Sequence, residues 1–152
     1  MLEQLSRHSL IDMSVKAKGD LHIDDHHTVE DTGICLGKAF KKALGEKAGI
    51  VRFGHAAVPM DDALAMSVVD LSGRAYFRYS GPELRGYINR YSEELTTEFL
   101  RSFAANAECN IHVMLFYGET PGTFALLGSA VIIGAVVIWT IADARAETSL
   151  SD

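Results

Sequence analysis

Two stretches of the chain carry apolar residues at helical spacing. In residues 28–44 they recur every three or four positions, and lysines fall late in the stretch, where cations suit the helix dipole. A second stretch begins at Ser92 and has acidic residues in its first turn. The apolar stripe of this stretch consists of Leu95, Phe99, Phe103 and Ala107. The spacing predicts two amphipathic helices, each with one face in a core.

Alternation of apolar and polar residues predicts four strands. Residues 13–17 and 111–117 place an apolar side chain at every second position, which is typical of a half-buried strand. Residues 64–71 and 75–79 are β-prone and are joined by Ser72-Gly73, which predicts a hairpin. The order β-α-β-β-α-β predicts an α+β fold, a β-sheet with helices packed on one face.

The composition changes towards the C-terminus. Residues 120–142 contain no charged side chain, and the inner part, 124–142, is apolar all round. A helix of about 20 apolar residues spans the hydrocarbon core of a bilayer. We therefore expect a domain at 1–119, a transmembrane helix at 120–143 and a polar tail at 144–152; a buried core helix is the alternative. The N-terminal residues lack the apolar run of a signal peptide, so this helix would be a C-terminal anchor.

The overall charge excludes one class of partner. The chain has 14 Lys+Arg and 20 Asp+Glu, a formal net charge of -6. That balance argues against nonspecific nucleic-acid binding, which needs a basic face to displace counterions. Cys35 and Cys109 are too few for a disulfide scaffold, so a reduced, cytoplasmic setting is expected, with both thiols in core positions.

A pair of adjacent histidines is the strongest chemical signal. If a helix begins near His26-His27, Glu30 lies one turn after both rings. Imidazole and carboxylate suit Mn, Fe, Co or Zn, and nearby carboxylates could fix the histidine tautomers. Those carboxylates belong to Asp24, Asp25 and Asp31. Three ligands make an incomplete metal site that needs partners from elsewhere in the chain or from another subunit; the alternative is a solvated acidic helix start with two surface histidines.

Other polar residues give weaker signals. Arg52 and Arg74 each follow a glycine-containing turn and suit bidentate phosphate binding, although single arginines are usually surface charges. Asp61-Asp62 fits a helix cap better than a catalytic carboxylate. His112 in the last predicted strand fits a packed histidine.

Five motifs follow one another in the order and spacing of a single enzyme family across roughly residues 1–119. They are GDLHIDDHHTVED at 19–31, LGKA at 36–39, RFG at 52–54, VPMDDAL at 58–64 and DLSGR at 70–74. In these motifs the chain resembles imidazoleglycerol-phosphate dehydratase. Because the five occur in register, the resemblance is far more specific than any one of them.

The resemblance implies a cytoplasmic lyase of histidine biosynthesis. Such enzymes remove water from imidazoleglycerol phosphate, a small phosphorylated imidazole, and form imidazoleacetol phosphate. They use two manganese ions (Mn²⁺) per active site. They assemble as a closed homo-oligomer of about 24 subunits. Each subunit is built from two similar α+β halves, and ligands from different subunits meet at the site.

The resemblance also assigns roles to residues that match the family motifs. The metal ligands would be His26, His27, Glu30 and Glu98. The catalytic residues would be Glu30, His27 and Asp61. The substrate-binding residues would be His8, Met60, Arg52 and Arg74, of which the two arginines hold the phosphate.

The sequence departs from the family pattern at both ends. Met1 matches the methionine of an Asp-His-Met motif, and the apolar segment follows Glu119 where the family has a second His-His-x-x-Glu. We therefore expect an incomplete copy of the duplicated dehydratase fold, with weak or no dehydratase activity. The alternative function is that of a non-enzymatic, membrane-anchored metal-binding fragment or fusion product, held through residues 124–142.

Overall fold

The computed structural model describes residues 1–117, which form three helices and six strands. The helices are α1 (Leu2–Ser9), α2 (His26–Leu44) and α3 (Leu95–Ala107). The strands are β1 (Phe53–Met60), β2 (Ala63–Asp70), β3 (Tyr76–Ser80), β4 (Tyr87–Ile88), β5 (Tyr91–Ser92) and β6 (Asn110–Tyr117). The predicted α+β class is confirmed.

The expected C-terminal apolar helix and polar tail lie outside the described residues. Between residues 1 and 117, no helix is both long enough and apolar enough to cross a bilayer.

Four strands form the main sheet in the order β1-β2-β6-β3. β2 pairs antiparallel with both β1 and β6, whereas β3 pairs parallel with β6. The predicted hairpin between residues 64–71 and 75–79 is therefore wrong, because β6 lies between the two strands. α3 connects β3 to its parallel neighbour β6, and such a crossover needs a helix rather than a tight turn.

The N-terminal half differs from the prediction in three elements. Residues 13–17 are not a strand, and Val15 is 42% exposed. Apolar and polar side chains alternate along these residues, but no strand between residues 1 and 117 pairs with them. α1 and β1 were not predicted; β1 contains Pro59, which is compatible with an edge strand because the proline nitrogen needs no partner there.

The core lies between the sheet and α3. Ile111, Val113 and Leu115 of β6 are almost fully buried, as their alternation predicts. The predicted stripe of α3 is confirmed, since all of its members are buried: Leu95, Phe99, Phe103 and Ala107. Cys109 is buried as expected, whereas Cys35 is exposed on α2, so its predicted core position is wrong.

α2 packs against α3 through two glycines that lie one helical turn apart. Gly33 and Gly37 are the buried residues of α2. A Cβ at Gly33 would lie 2.8 Å from the backbone oxygen of Phe99, and one at Gly37 would lie 2.6 Å from that of Phe103. The two helix backbones therefore approach more closely than any larger residue allows.

Replacement of Gly37 by alanine tests this contact. At an open helix position, Gly→Ala stabilises by about 0.5–1 kcal/mol. We expect Gly37→Ala instead to lower the free energy of unfolding by about 1–3 kcal/mol, because the new methyl overlaps the α3 backbone. Urea denaturation measures the change, and Lys38→Ala, at an exposed position next to it, is the control. A stabilised Gly37→Ala variant would show that the helices are not in backbone contact.

A buried hydroxyl provides a second test of the core. Ser67 of β2 is 1% exposed, and its Oγ has no hydrogen-bond partner among the described residues. Because the hydroxyl loses hydration without compensation, we expect Ser67→Ala to raise the free energy of unfolding by about 1 kcal/mol. Thr32→Val is the matched control, since the Thr32 hydroxyl donates to the Thr28 carbonyl at 2.6 Å and its loss should be destabilising. A lower denaturation midpoint for Ser67→Ala would contradict the assignment.

Candidate active site

The His-His-x-x-Glu motif forms the first turn of α2. The Asp24 carboxylate accepts a hydrogen bond from the His26 backbone nitrogen at 2.8 Å and so satisfies one of the free donors at the helix start. His26 Nε2 lies 4.0 Å from Glu30 Oε2, one turn further along. The His26 and His27 rings are perpendicular, with centroids 6.1 Å apart. The structure thus brings His26 and Glu30 together and directs His27 elsewhere.

His27 is held by a carboxylate that sequence reasoning missed. His27 Nδ1 lies 2.9 Å from Asp20 Oδ2. Asp20 is in the loop before α2, and this loop turns back on itself through a hydrogen bond that the Ile23 nitrogen donates to the Asp20 carbonyl. The Asp20 hydrogen bond and charge raise the pKa of His27, and the same bond lowers the pKa of Asp20. The predicted partners Asp24 and Asp31 contribute only at longer range, by raising the His27 pKa through charge.

This arrangement fits a divalent metal. When the proton on His27 Nδ1 is shared with Asp20, the lone pair on Nε2 is available to bind a metal. Metal-binding histidines usually donate their other ring N–H to a carboxylate in this way. The His26 and Glu30 donors are likewise nitrogen and oxygen, the types that manganese, iron and zinc accept.

The metal-ligand set is incomplete within the described part of the chain. Across residues 1–117, no group of three or more His, Cys, Asp or Glu side chains converges as an ion site. Glu98, assigned as a fourth ligand, lies in the first turn of α3 and accepts a hydrogen bond from Arg101 at 3.2 Å. A complete site therefore needs donors from outside this set of residues.

The two candidate phosphate-binding arginines lie together at one end of the sheet. Arg52 directly precedes β1 and donates to both carboxylate oxygens of Asp70, at 2.6 and 3.0 Å. Arg74 follows β2, and its charge helps to lower the Asp70 pKa, for which the Arg52 hydrogen bond is the largest cause. This end of the sheet therefore carries two guanidinium groups around one carboxylate.

The arginines and the histidine motif lie at opposite ends of the molecule. α2 has 19 residues, and at 1.5 Å per residue it spans about 28 Å. Its C-terminal end is tied to the arginine end, where Lys47 Nζ donates to the Leu71 carbonyl at 3.2 Å and the Leu71 nitrogen donates to the Arg52 carbonyl at 3.0 Å. His26 and Arg52 of one chain are thus too far apart to share one small substrate.

Met60 and Asp61 also lie far from the arginines. They are at the end of β1 opposite to Arg52, and eight strand residues span roughly 25 Å. Asp61, with φ of 51°, occupies the tight turn between β1 and β2, so the helix-cap interpretation of Asp61-Asp62 is wrong. The pattern failed here because aspartate is favoured in turns as well as at helix starts.

Two further predicted residues are on the surface. His8 is exposed in the last turn of α1. His112 is on the open face of the sheet, with its ring 5.5 Å from that of Tyr76, so the interpretation as a packed core histidine is wrong.

A cavity of about 310 Å³ opens beside His26. The short β4–β5 hairpin forms its other wall and contributes Tyr87 and Arg90. Its volume is at the lower end of the range for small-molecule pockets. Sequence reasoning missed these two residues, because a two-residue strand has no detectable periodicity.

The contact between Asp20 and His27 predicts a pH dependence. We expect Asp20→Asn to lower the His27 pKa towards its ordinary value of 6.5. In the wild type, the raised pKa means that this pairing stabilises the folded state at acidic pH and that the contribution is lost as the pH rises through the raised value. Histidine NMR titration of the wild type and of Asp20→Asn measures the shift. An unchanged His27 pKa in Asp20→Asn would show that the contact does not form.

Comparison with known proteins supports one family. The family model for imidazoleglycerol-phosphate dehydratase matches residues 1–124. The imidazoleglycerol-phosphate dehydratase of Rhodopirellula baltica is 52% identical over 119 residues, which cover 78% of this chain and 59% of that protein. That of Desulforudis audaxviator is 50% identical over 144 residues, covering 89% of this chain and 74% of the relative.

Solved structures agree with this assignment. The crystal structure of imidazoleglycerol-phosphate dehydratase from Staphylococcus aureus matches with a TM-score of 0.81 at 29% identity, covering 91% of this chain and 78% of that chain. The Pyrococcus furiosus enzyme in complex with (S)-C348 matches with a TM-score of 0.77 at 30% identity, covering 90% and 74%.

The match extends over most of the chain but not over the whole of each relative. The chain spans 59% of the R. baltica protein and 60% of the curated relative from Granulibacter bethesdensis. All of the described residues fall within the part matched by the family model. On these grounds the chain belongs to the imidazoleglycerol-phosphate dehydratase family, a family of hydro-lyases.

Proposed function

We propose that this chain acts in the cytoplasm as a manganese-dependent dehydratase of histidine biosynthesis. The reaction converts imidazoleglycerol phosphate into imidazoleacetol phosphate and water. The observation that carries the proposal is the first turn of α2, where His26 and Glu30 converge and Asp20 orients His27 in a chain of this family.

His26, His27, Glu30 and Glu98 are the proposed metal ligands. Bound Mn²⁺ would hold the substrate's imidazole ring and stabilise the negative charge that develops as the carbon–hydrogen bond breaks. The contact of Glu98 with Arg101 uses one carboxylate oxygen, so the other oxygen could bind the metal.

The chain's own residues supply proton transfer and orientation. Elimination removes a proton from C2 of the glycerol chain and hydroxide from the neighbouring carbon that bears the imidazole ring. It therefore needs one group that accepts a proton and one that donates a proton. Glu30, His27 and Asp61 are the proposed acid–base groups, because carboxylates and imidazoles exchange protons near neutral pH.

Arg52 and Arg74 bind the phosphate, and so fix the distance between it and the reacting carbons. His8 and Met60 contact the remainder of the substrate in this proposal.

The separation of the two sets of residues supports a site shared between subunits. The substrate is much shorter than the roughly 25 Å that separates the two ends of β1. We therefore propose a homo-oligomer in which the arginine end of one subunit faces the His26 end of another. Symmetric assembly places identical composite sites at every such contact.

Turnover in the presence and absence of metal tests the function. We expect Mn²⁺-dependent conversion of imidazoleglycerol phosphate, slower than that of the curated relatives, that stops on chelation and returns when Mn²⁺ is restored. His26→Ala and Glu30→Gln should each lower kcat/KM by about 100-fold or more, because each removes a metal ligand. Detection of imidazoleacetol phosphate is the measurement.

His112→Ala is the matched control, since His112 lies on the open sheet face. Metal-independent turnover, undiminished turnover in His26→Ala, or no turnover with saturating Mn²⁺ would contradict the proposed function for this chain.

A further inference from the structure

Arg52 is held in one orientation by its surroundings. Its Nε and one terminal nitrogen donate to the two oxygens of Asp70, at 2.6 and 3.0 Å. The guanidinium carbon lies 4.7 Å from the centroid of the Phe53 ring, so the aromatic face flanks the charged group. A side chain held along one edge and on one face has little rotational freedom left.

The position of Asp70 makes it a rigid support. It is in β2, which has a neighbouring strand on both sides, and it is paired with Phe53 of β1 and with Asn110 of β6. Its carboxylate is only 18% exposed, whereas the Arg52 side chain is 49% exposed. The carboxylate is thus the fixed member of the pair and the arginine is the accessible one.

The geometry leaves the outer edge of Arg52 available. A guanidinium has five N–H donors in a planar fork, of which Asp70 uses two. The other three N–H groups lie on the edge away from the carboxylate. Such an edge can donate two parallel hydrogen bonds to a phosphate group.

The neighbouring arginine is anchored through its backbone. Asn110 Nδ2 donates to the Arg74 carbonyl at 2.7 Å and to Ser72 Oγ at 3.3 Å, which fixes the turn between β2 and β3. Ser72 also helps, with the Arg74 charge, to keep the Asp70 pKa low, so the carboxylate stays ionised beside both cations.

We infer that Asp70 is a positioning residue for phosphate binding: it holds the Arg52 guanidinium by one edge so that the other edge faces the phosphate of the substrate. This inference rests on the proposed function, in which Arg52 contacts that phosphate. It goes beyond that function because Asp70 touches neither substrate nor metal and acts only through Arg52.

The direction in which Asp70→Asn changes phosphate affinity shows whether Asp70 positions Arg52 or acts only through its charge. Asp70 is an anion close to a site for an anion. If its charge alone mattered, Asp70→Asn would remove repulsion and tighten phosphate binding. If Asp70 positions Arg52, the same substitution releases the guanidinium, and phosphate binding weakens despite the more favourable net charge.

Inorganic phosphate is the probe, with binding followed by ³¹P NMR titration of the full chain at constant ionic strength. We expect Asp70→Asn to raise the dissociation constant about fivefold or more, as lost bidentate geometry should. Glu83→Gln is the matched control, because it also removes one negative charge that is paired with an arginine, here Arg85 at 2.7 Å. This substitution should leave the phosphate affinity unchanged. Unchanged or tighter binding in Asp70→Asn overturns the inference.

A second variant keeps the test decisive if Asp70→Asn does not fold. Arg52→Lys preserves the positive charge but cannot make two parallel bonds to Asp70. We expect weaker phosphate binding in Arg52→Lys, because a single ammonium group cannot be held by both Asp70 oxygens in one orientation. Phosphate binding equal to that of the wild type in Arg52→Lys overturns the inference.

Turnover separates this inference from the proposed function. In an active chain, Asp70→Asn should raise KM with little change in kcat, because it affects substrate binding rather than the reacting groups. A chain that binds phosphate in an Asp70-dependent way but does not dehydrate the substrate would contradict the proposed reaction alone. A wild-type chain that binds phosphate no better than Arg52→Gln overturns the inference on Asp70.

Discussion

The close approach of α2 to α3 at Gly33 and Gly37 is the constraint on which the rest of the structure depends. The two helix backbones touch at these glycines, which brings the apolar side chains of α2 into the core, among them Phe40 against Phe103 of α3. α3 in turn is fixed on the sheet by its buried stripe. Because the His26 motif is the first turn of α2, its location follows from this packing and not from local contacts. The opposite face of α2 is polar and exposed, whereas Val29, Leu36, Phe40 and Leu44 pack against the core.

The structure separates the chemistry of the candidate site into two ends. One end has nitrogen and oxygen donors for a metal at His26, His27 and Glu30, and the other has two guanidinium groups at Arg52 and Arg74. The rigid elements between them, α2 and the β1–β2 hairpin, prevent the two ends from meeting within one chain. Under the proposed function, a substrate that contacts both ends is therefore bound between two copies of the chain.

Elements with strong periodicity could be predicted from the sequence. α2, α3 and β6 form close to their predicted bounds, because each has a continuous apolar face that must be buried. The separation of β2 from β3 could not be predicted, because β6, which lies between them, is more than thirty residues away in the chain from the residues it pairs with. Residues 13–17 show the opposite problem: an alternating pattern indicates a strand, but a strand forms only where a partner lies beside it.

The candidate site shows the same limit. The His26–Glu30 pair followed from helical spacing, since residues four apart lie on one face. The contact of His27 with Asp20 could not be predicted from helical spacing, because Asp20 lies in the loop before the helix. The contact of Arg52 with Asp70 could not be predicted either, because it depends on the register of β1 against β2. Sequence motifs thus indicate the candidate side chains, whereas only the folded backbone shows which of them are neighbours.

The edge strand β1 has a consequence for how subunits associate. A free edge ordinarily offers a row of amide donors and carbonyl acceptors to any extended segment, and this is a common route to unwanted aggregation. Pro59 lacks the amide hydrogen, so the row is interrupted close to the Asp61 turn, and an incoming strand could extend the ladder only over the part nearer Arg52. Growth of the sheet from one molecule into the next is thereby disfavoured along the part of this edge nearest the Asp61 turn.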